Sequence, residues 1–569
     1  MRKLSKVLSM LVALAMLVSM TTIAAVAEGK SDTYREPITL TVFDELANQQ
    51  STGWFAKLLK DKFNIELNII STNLDPNAWQ TRMASGDLGD LVIFGDTGDH
   101  FISAIKGNML MDWNDLDMTP YTNIAKYTME AQQKITNFVK GATDIDGVWG
   151  FGHDIGYNRT DWDVVVEPNY GMQVRWDAYV KAGMPKLDTV DDLVPFLKAL
   201  QDAVPTNDKG EKVYAYGGFP DWEDCVMKFT WDMMTWYGYA EQDYLGVNWS
   251  NGKIVNPLEE GSLYQKMLSI NNQLYRAGLF DPDSVNQNYD AYSQKVDAGR
   301  YLMGLWGWKM QAFNSDERAA AGTGYVTMGP QDDAPVVNGT APFGSNRVWT
   351  IGANCKYPER VLEMLDWLTS TEGIMTTWNG PQGLCWDYDA DGKPYGTEFG
   401  WKCWKDEMNT DIPAEYGGGK YADGKSALNN STILMNAYDP DGGFCYNHDA
   451  WPDGIAKLQN NMLTAWSKDY AQGAKTGVEY LKLTNRFSLH PATMYTVAAK
   501  SDDLANKRAQ FAPIMKEYSW KCVYAASDEE FTSLWNEMVE KCKAFGYDDV
   551  TNFYLGEIQN KLDAIAQGK

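Results

Sequence analysis

The start of the chain alternates strand-like and helix-like patterns, and this alternation limits the possible folds more than any other feature of the sequence. Residues 38–43 form a β-branched run of strand length, and residues 65–70 form a second one. Between them, large apolar side chains recur at helical spacing from Trp54 to Phe63. The pattern predicts a strand, a helix and a second strand, and therefore a parallel sheet covered on both faces.

A short apolar run at residues 91–94 predicts a third strand of the same sheet. In open sheets of this kind, ligands bind beyond the carboxyl ends of the strands. We therefore expect residues 44–49 and 95–100 to lie near any binding site.

Later segments are richer in helical patterns. Residues 189–192 precede an apolar helical face that starts at Leu193, and residues 358–373 predict a second helix. Near the end, residues 527–530 have the pattern of a capping box, followed by an apolar face that continues to Cys542. The predicted fold class is α/β with a helix-rich C-terminal part.

The N-terminus has the pattern of a secretory signal peptide. Three cations precede a nearly continuous apolar stretch at residues 7–18, and residues 25–27 form a small-residue cleavage site. Residues 1–27 are therefore expected to be removed on export. No later segment reaches the ~20 apolar residues of a membrane span, so we expect no span in the mature chain.

Export leaves the final location open among extracellular, cell-surface associated and periplasmic. The first cysteine is Cys225, far from the cleavage site, so no lipid-attachment cysteine is expected. The seven cysteines are widely spaced and form no C-x-x-C pair. Their odd number leaves at least one thiol unpaired, and the sequence does not define the disulfide pairing.

The charge of the chain excludes two classes of partner. The 569 residues contain 50 Lys plus Arg and 76 Asp plus Glu, a formal net charge of -26 at pH 7. Cleavage after Ala27 would remove three cations and no carboxylates, leaving a net charge of -29. No basic cluster is present to bind nucleic acid or an anionic membrane. The same charge makes a strongly anionic ligand a weaker expectation.

One segment has the carboxylate spacing of a calcium-binding loop. Asp387, Asp389, Asp391 and Glu398 occupy positions 1, 3, 5 and 12 of an EF-hand-type loop, and Gly392 occupies position 6. No clear helix precedes the loop, and an Asp/Gly cluster is also the usual signal of a hairpin turn. A structural calcium ion and a hairpin turn therefore remain alternatives, and no other cofactor is expected.

Catalytic motifs are scarce. The four histidines form no metal-binding spacing, and the sequence contains no G-x-S-x-G nucleophile motif. Residues 419–426 match the phosphate-loop rule, but no buried strand precedes them. By contrast, the chain has 22 Trp and 31 Tyr, and many tryptophans lie in irregular segments rich in Gly and Asp. Flat indoles beside polar groups suit the apolar faces and hydroxyl rims of sugars.

Several segments, in this order, resemble the extracellular solute-binding proteins of ABC-type importers, in particular the large oligosaccharide-binding subgroup. The strand at residues 38–43 is followed by WQTRMASGDLGD at residues 79–90, which is similar to the ASGDLPD segment of that family. Further similar segments lie at residues 174–192, 357–373, 379–394 and 528–546. The missing lipid-attachment cysteine departs from the family and leaves the manner of retention at the cell surface open.

The resemblance implies a two-lobe fold with discontinuous lobes, a ligand in the cleft between them, and delivery to the permease subunits of an ABC importer. We assign residues 28–155 and 309–380 to the N-terminal lobe and residues 156–308 and 381–569 to the C-terminal lobe. The crossing segments are expected near residues 156–176 and 301–308. A monomer is expected.

The favoured ligand is a carbohydrate, and an oligosaccharide rather than a monosaccharide because the candidate stacking rings are numerous. The candidate cleft residues are Trp79, Asp96, Trp222, Trp306, Trp308, Arg347, Trp349 and Trp378. One alternative is a secreted glycoside hydrolase or lyase, which needs two carboxyl groups about 5–10 Å apart. Another is the same fold binding a peptide or a lipid-linked solute.

Overall fold

The computed structural model describes residues 36–156, 168, 170–223, 227–338, 343–345, 347–428 and 431–567. The signal peptide prediction lies outside these residues. The strands are β1 Ile38–Asp44, β2 Ile65–Ile70, β3 Leu91–Ile93, β4 Phe151–Gly152, β5 Tyr170–Arg175, β6 Ala240–Gln242, β7 Leu245–Asn248, β8 Lys253–Val255, β9 Met303–Trp306, β10 Tyr325–Thr327, β11 Val336–Asn338, β12 Val348–Ile351, β13 Trp386–Tyr388, β14 Pro394–Gly396 and β15 Ser488–His490.

The α-helices of the described residues come in two groups along the chain. Those up to residue 297 are α1 Gly53–Phe63, α2 Ala78–Ser85, α3 Asp99–Lys106, α4 Thr122–Tyr127, α5 Met129–Thr143, α6 Trp176–Lys181, α7 Leu193–Ala203, α8 Lys228–Met234, α9 Leu263–Arg276 and α10 Tyr289–Asp297. The remainder are α11 Gly307–Gln311, α12 Asp316–Ala320, α13 Pro358–Leu368, α14 Thr371–Asn379, α15 Glu398–Lys405, α16 Pro452–Leu458, α17 Asn461–Asp469, α18 Gly477–Leu483, α19 Asp502–Val523, α20 Asp528–Ala544 and α21 Tyr547–Ala566.

The two strands predicted at the start of the chain, β1 and β2, lie at one edge of a five-stranded sheet with the order β2-β1-β3-β12-β4. The predicted helix, α1, connects them. β1 is parallel to both β2 and β3, as the sequence predicts. β12 is antiparallel to β3 and β4. The chain direction reverses in β12 because the chain enters this strand beside the C-terminal end of β3. A helical crossover, which returns the chain to the other end of the sheet and gives a parallel strand, does not precede β12.

Two hydrophobic cores cover the two faces of this sheet. One contains Trp54, Trp349 and Leu365, and the other contains Phe43 and Phe94. These cores define the N-terminal lobe, which comprises the described residues between 36 and 156 and between 343 and 451. Six of the seven cysteines fall in the described residues, and all six are buried.

A third core defines the C-terminal lobe, which comprises the described residues between 170 and 338 and between 462 and 567. Its sheet has the order β10-β5-β9 and is antiparallel. The helix-rich C-terminal part packs on α9: Tyr264 and Ser519 hydroxyls lie 2.8 Å apart, and the Asn272 amide donates to the Val523 and Ala525 carbonyls. The predicted α/β class with a helical C-terminal part is confirmed.

The chain passes between the lobes at three places. The first connection lies mostly outside the described residues, after Gly156 and before Tyr170. The second runs between Asn338 and Val348, and the third between Trp451 and Met462. Three connections of this kind hold two separately packed lobes beside each other.

The packing divides the chain differently from the sequence-based lobe assignment. Residues 310–337 pack in the C-terminal lobe, and residues 385–451 pack in the N-terminal lobe. The segment expected to cross at residues 301–308 is β9 and the start of α11, inside the C-terminal lobe. Trp306 is anchored there because its indole N–H donates to buried Asp232 at 2.8 Å.

The predicted helix at residues 358–373 is two helices, α13 and α14. Ser370 caps the second one, because its hydroxyl accepts the amide of Gly373 at 3.1 Å. Gly373 packs so tightly against the end of α13 that an added Cβ would lie 1.9 Å from the Trp367 carbonyl oxygen. The chain can therefore turn sharply between the helices only with glycine at this position.

Candidate ligand-binding site

The C-terminal lobe carries a cluster of aromatic rings at the end of β9, which we call the aromatic surface: Phe219, Trp222, Tyr289, Trp306 and Trp308. Trp222 and Trp308 are 44% and 51% exposed. Trp222 stacks on Tyr289 with ring centroids 4.6 Å apart, and Trp308 stacks on Trp306 at 5.8 Å. The Trp222 and Trp308 rings are themselves 6.3 Å apart and inclined by 29°. Two neighbouring indoles therefore offer open faces to a ligand.

Buried polar groups fix the inner ring of this surface. The Asp232 carboxylate accepts the Trp306 indole N–H at 2.8 Å and pairs with the Lys228 ammonium at 2.6 Å. Burial lowers the pKa of Lys228, but the charge and hydrogen bond of Asp232, together with Tyr170 and Glu241, outweigh burial and raise it above its ordinary value. Lys228 therefore stays charged, and the hydrogen bond to Asp232 holds Trp306 in one orientation beside Trp308.

The loop that carries Trp222 is tied down by the residues on either side of it. The Asp221 carboxylate accepts the backbone amide of Tyr289 at 2.8 Å, which places the two stacked rings side by side. The Glu223 carboxylate accepts the indole N–H of Trp520 at 2.8 Å. Burial raises the pKa of Glu223 to about 7, although the hydrogen bond from Trp520 opposes this shift. The exposed Trp222 ring thus stands on an ordered loop.

In the N-terminal lobe, polar groups gather where β1 and β3 end, as the sheet rule predicts. Glu45 follows β1, and its carboxylate accepts the Gly95 amide at 2.6 Å and contacts His100 Nδ1 at 2.5 Å. Trp79 stacks on the His100 ring at 4.0 Å and is only 8% exposed. Asp96 is exposed, and its carboxylate accepts the Gly98 amide. The groups open to a ligand here are Asp96 and His100 rather than the Trp79 ring, and the buried Glu45 carboxylate holds His100 in place.

Arg347 lies where the second connection enters the N-terminal lobe, beside the start of the first. Its carbonyl accepts the His153 amide at 2.9 Å. Burial, and then the charge of Arg347, lower the pKa of His153 to about 3. Burial raises the pKa of Asp154 to about 7, with Arg347 opposing the shift. The His153 ring, 3.2 Å from Asp154 and 2.5 Å from Ser345, is therefore neutral at pH 7.

Two of the predicted site tryptophans lie elsewhere. Trp349 is 1% exposed in the centre of β12, where it pairs with Ile93, so it is a core residue and cannot contact a ligand. Trp378 is half-buried in α14, and its indole N–H donates to Ser431 at 3.1 Å. The structure thus brings Trp222, Trp306 and Trp308 together and separates Trp349 from them.

The predicted calcium loop is a β-hairpin formed by β13 and β14. Asp389 accepts the backbone amides of Asp391 and Lys393 at 2.9 and 2.8 Å, which closes the turn. Asp387 accepts the Tyr388 amide, and Glu398 begins α15 beyond the second strand. Across the described residues, no three His, Cys, Asp or Glu side chains are placed to hold a metal ion. The four carboxylates do not converge because paired strands, rather than a loop between helices, separate them.

A cavity of about 540 Å³ lies between the lobes beside the third connection. Trp401, Trp404 and His448 line it on the N-terminal side, and Asp316 lines it on the C-terminal side. Trp404 is covered by the His448 ring, with centroids 3.9 Å apart. These indoles are less exposed than Trp222 and Trp308, so we assign the main ligand contacts to the aromatic surface.

Sequence reasoning missed four residues that shape the site. Phe219 and Tyr289 complete the aromatic surface, and neither carries a local signal, because their contacts come from segments that are distant in sequence. Glu45 and His100 lie in the segments expected near a site. Their positions after β1 and β3 are the signal that could have singled out these two residues, which were not named as candidates.

No known family model matches the chain, and no curated protein matches its sequence. Solved structures do match over almost the whole chain. The alginate-binding protein AlgQ2 has a TM-score of 0.60 at 16% identity, covering 93% of this chain and 100% of its own. The ABC-transporter substrate-binding protein FusA of Streptococcus pneumoniae, solved with kestose, has a TM-score of 0.57 at 16% identity, covering 94% and 100%.

A third similar structure is an HMO-binding, ABC-transporter-associated solute-binding protein of Bifidobacterium longum infantis. It has a TM-score of 0.59 at 13% identity and covers 93% of this chain and 99% of its own. The chain therefore has the two-lobe fold of these binding proteins. At such low identity the likeness concerns the fold.

Proposed function

We propose that this protein is an exported solute-binding protein that captures a carbohydrate, in particular an oligosaccharide, between its lobes and delivers it to an ABC importer. The observation that carries the proposal is the pair of exposed, neighbouring indoles of Trp222 and Trp308 on a rigid base. Large aromatic rings usually bury most of their surface. Two open rings side by side suit the apolar faces of successive sugar units.

The fold supports the same reading. Solved proteins with this fold include ones described as binding alginate and kestose. The N-terminal lobe adds the hydrogen-bonding groups Asp96 and His100 at the carboxyl ends of its strands, with buried Glu45 contacting His100. Stacking rings in one lobe and polar side chains in the other are the combination that orients a sugar.

The mechanism that we propose is closure of the lobes about their three connections. A ligand that contacts both lobes binds the closed state more tightly than the open state, and only this difference in affinity shifts the population toward closure. The permease subunits of the importer would then recognise the closed, loaded protein. None of the helices in the described part of the chain combines the length and the apolar character that a bilayer crossing requires.

Isothermal titration calorimetry of the mature protein tests the proposal. The titrants are kestose, an alginate oligosaccharide and a set of short peptides. Saturable binding of an oligosaccharide, with no heat from the peptides, would support a carbohydrate-binding protein. Binding of the peptides alone would show that the ligand is a peptide rather than a carbohydrate, and it would leave the fold assignment unchanged.

A parallel incubation separates binding from catalysis. The same oligosaccharides are kept with the protein, and the products are analysed by chromatography. Intact substrate together with thermal stabilisation of the protein is the expected result. Release of shorter sugars at catalytic rates would instead establish a glycoside hydrolase or lyase with an undetected carboxylate pair.

A further inference from the structure

Two half-buried lysines, Lys134 and Lys561, differ from the other buried cations of this acidic chain. Lys228 pairs with Asp232 at 2.6 Å, and Lys295 pairs with Asp281 at 2.7 Å. Lys134 and Lys561 have no carboxylate partner among the described residues. In a chain with 76 acidic and 50 basic residues, two desolvated and unpaired ammonium groups need an explanation.

The two lysines belong to one cluster of hydrogen-bond donors. The Lys561 ammonium, on α21, lies 4.0 Å from the centroid of the Trp249 ring, and the His490 ring stacks on the same indole at 5.8 Å. The Trp249 indole N–H is buried and has no acceptor within the described structure. Lys134, on α5, donates to the Gly344 carbonyl at 3.1 Å.

This cluster joins the two lobes. His490 ends β15 opposite Asn338, where the second connection begins, and Gly344 lies near the end of that connection. Lys134 belongs to the N-terminal lobe, whereas Trp249, His490 and Lys561 belong to the C-terminal lobe. The Ser250 hydroxyl donates to the Leu489 carbonyl at 2.8 Å, which fixes Trp249 beside β15.

The charges of Lys134 and Lys561 influence the titration of their neighbours. Burial lowers the pKa of Lys134. Burial, and then the charge of Lys134, lower the pKa of Lys561 to about 8. Burial, followed by the charges of Lys561 and Lys134, lowers the pKa of His490 to about 3. No carboxylate of the described residues offsets these shifts, so within that part of the chain the cluster holds like charges together without compensation.

The carboxylate one helical turn before Lys561 is already engaged. Glu557, one turn before Lys561, accepts the Tyr495 hydroxyl at 2.8 Å and the Ala498 amide at 2.7 Å. Two ammonium groups, a neutral imidazole and an indole N–H therefore remain as donors without an anionic acceptor. Charged donors of this kind bind carboxylate and sulfate oxygens strongly.

We propose that Lys134, Trp249, His490 and Lys561 form an anion site between the lobes that binds one carboxylate or sulfate group. A bound anion would neutralise the two lysines, accept the unpaired donors and link the lobes beside the second connection. Both a free inorganic anion and an acidic group carried by a sugar have this chemistry. The site does not depend on the proposed sugar-binding function.

Titration of the mature protein with sodium sulfate, at an ionic strength held constant with sodium chloride, tests the site. We expect saturable binding of one sulfate per chain. Lys134→Gln and Lys561→Gln should each weaken it roughly tenfold or more, since each removes a charged hydrogen bond. Lys507→Gln is the matched control, because half-buried Lys507 is paired with Asp503 and Asp549 and should leave sulfate affinity unchanged.

The source of the anion is distinguished by a second pair of titrants, a uronic-acid disaccharide and its neutral counterpart. Lysine-dependent binding of sulfate identifies a site for free anions, and lysine-dependent binding of the acidic sugar alone identifies a sugar-borne group. Either result supports the site. If no oligosaccharide binds, neutral or acidic, while sulfate binds, the proposed function falls and the anion site stands.

NMR of ¹³C-methylated lysines gives a readout that does not rely on affinity. Lys561 should titrate near pH 8 without sulfate and at higher pH with sulfate, since an anion favours the charged form. Lys134→Gln should raise the pKa of Lys561 even without sulfate. Equal sulfate affinity in the wild type and both lysine variants, or an unperturbed Lys561 titration near 10.4, would overturn the proposal.

Discussion

Replacement of Trp308 by alanine should weaken ligand binding strongly while leaving the fold intact. A tryptophan side chain buries about 200 Å² when it is fully covered, and Trp308 is 51% exposed, so a sugar stacked on its free face would cover about 100 Å² of it. At about 25 cal/mol per Å², this contact contributes roughly 2.5 kcal/mol. The Kd should therefore rise by roughly fifty-fold.

The same substitution removes little packing within the protein, because half of the ring already faces solvent. The free energy of unfolding should therefore change by less than about 1 kcal/mol. Trp222→Ala should behave similarly, since Trp222 is 44% exposed. Phe545→Ala is the matched control: Phe545 is also 44% exposed in the C-terminal lobe but lies outside the aromatic surface.

Calorimetry with the best-binding oligosaccharide measures the Kd of each variant, and thermal unfolding checks its stability. The Trp308→Ala and Trp222→Ala proteins should fold normally and bind weakly, whereas Phe545→Ala should bind as the wild type does. If both tryptophan variants keep a Kd within twofold of the wild type, the aromatic surface is not the ligand site.

Three further predictions concern stability. Asp232→Asn should cost about 3 kcal/mol, the lower end for a buried pair, because it leaves half-buried Lys228 uncompensated; a drop in Tm no larger than that of exposed Asp61→Asn would contradict this. Burial raises the pKa of Glu223 to about 7. Between about pH 4.5 and 7, Glu223 therefore keeps its proton in the folded state and loses it in the unfolded state. The free energy of unfolding should fall as pH rises through that window. Glu223→Gln should remove this slope in denaturant titrations at pH 5 and pH 8, and an unchanged slope would refute the assignment. Adding a calcium chelator should not lower the Tm, because Asp389 closes the β13–β14 hairpin by hydrogen bonds alone. A chelator-induced drop in Tm that Asp389→Ala abolishes would show instead that this hairpin binds calcium.

The proposed anion site limits what the net charge of the chain predicts about its ligands. From composition alone, the net charge of -29 on the mature chain predicts that strongly anionic ligands are disfavoured. The proposed site gathers Lys134, Lys561 and His490 between the lobes, where none of the carboxylates that the structure describes compensates them. Local potential depends on where charges lie, so an acidic protein can still hold an anion at such a point.

The sequence by itself determined the α/β class, the parallel start of the sheet and several helix boundaries, because these follow from periodicity and capping within short segments. Ser527, for example, caps α20 by accepting the Glu530 amide. It also singled out Trp222, Trp306 and Trp308 as candidates, since aromatic rings in irregular segments are visible without a structure.

Only the tertiary structure decided which tryptophans are open and where the lobes divide. The sequence does not distinguish Trp349 from Trp308, yet Trp349 is buried in the core and Trp308 is half exposed. The exposure of each ring depends on which distant segments of the chain pack against it. The carboxylates of residues 387–398 had metal-binding spacing, but strand pairing separated them. Long-range contacts set both outcomes, and no local pattern encodes them.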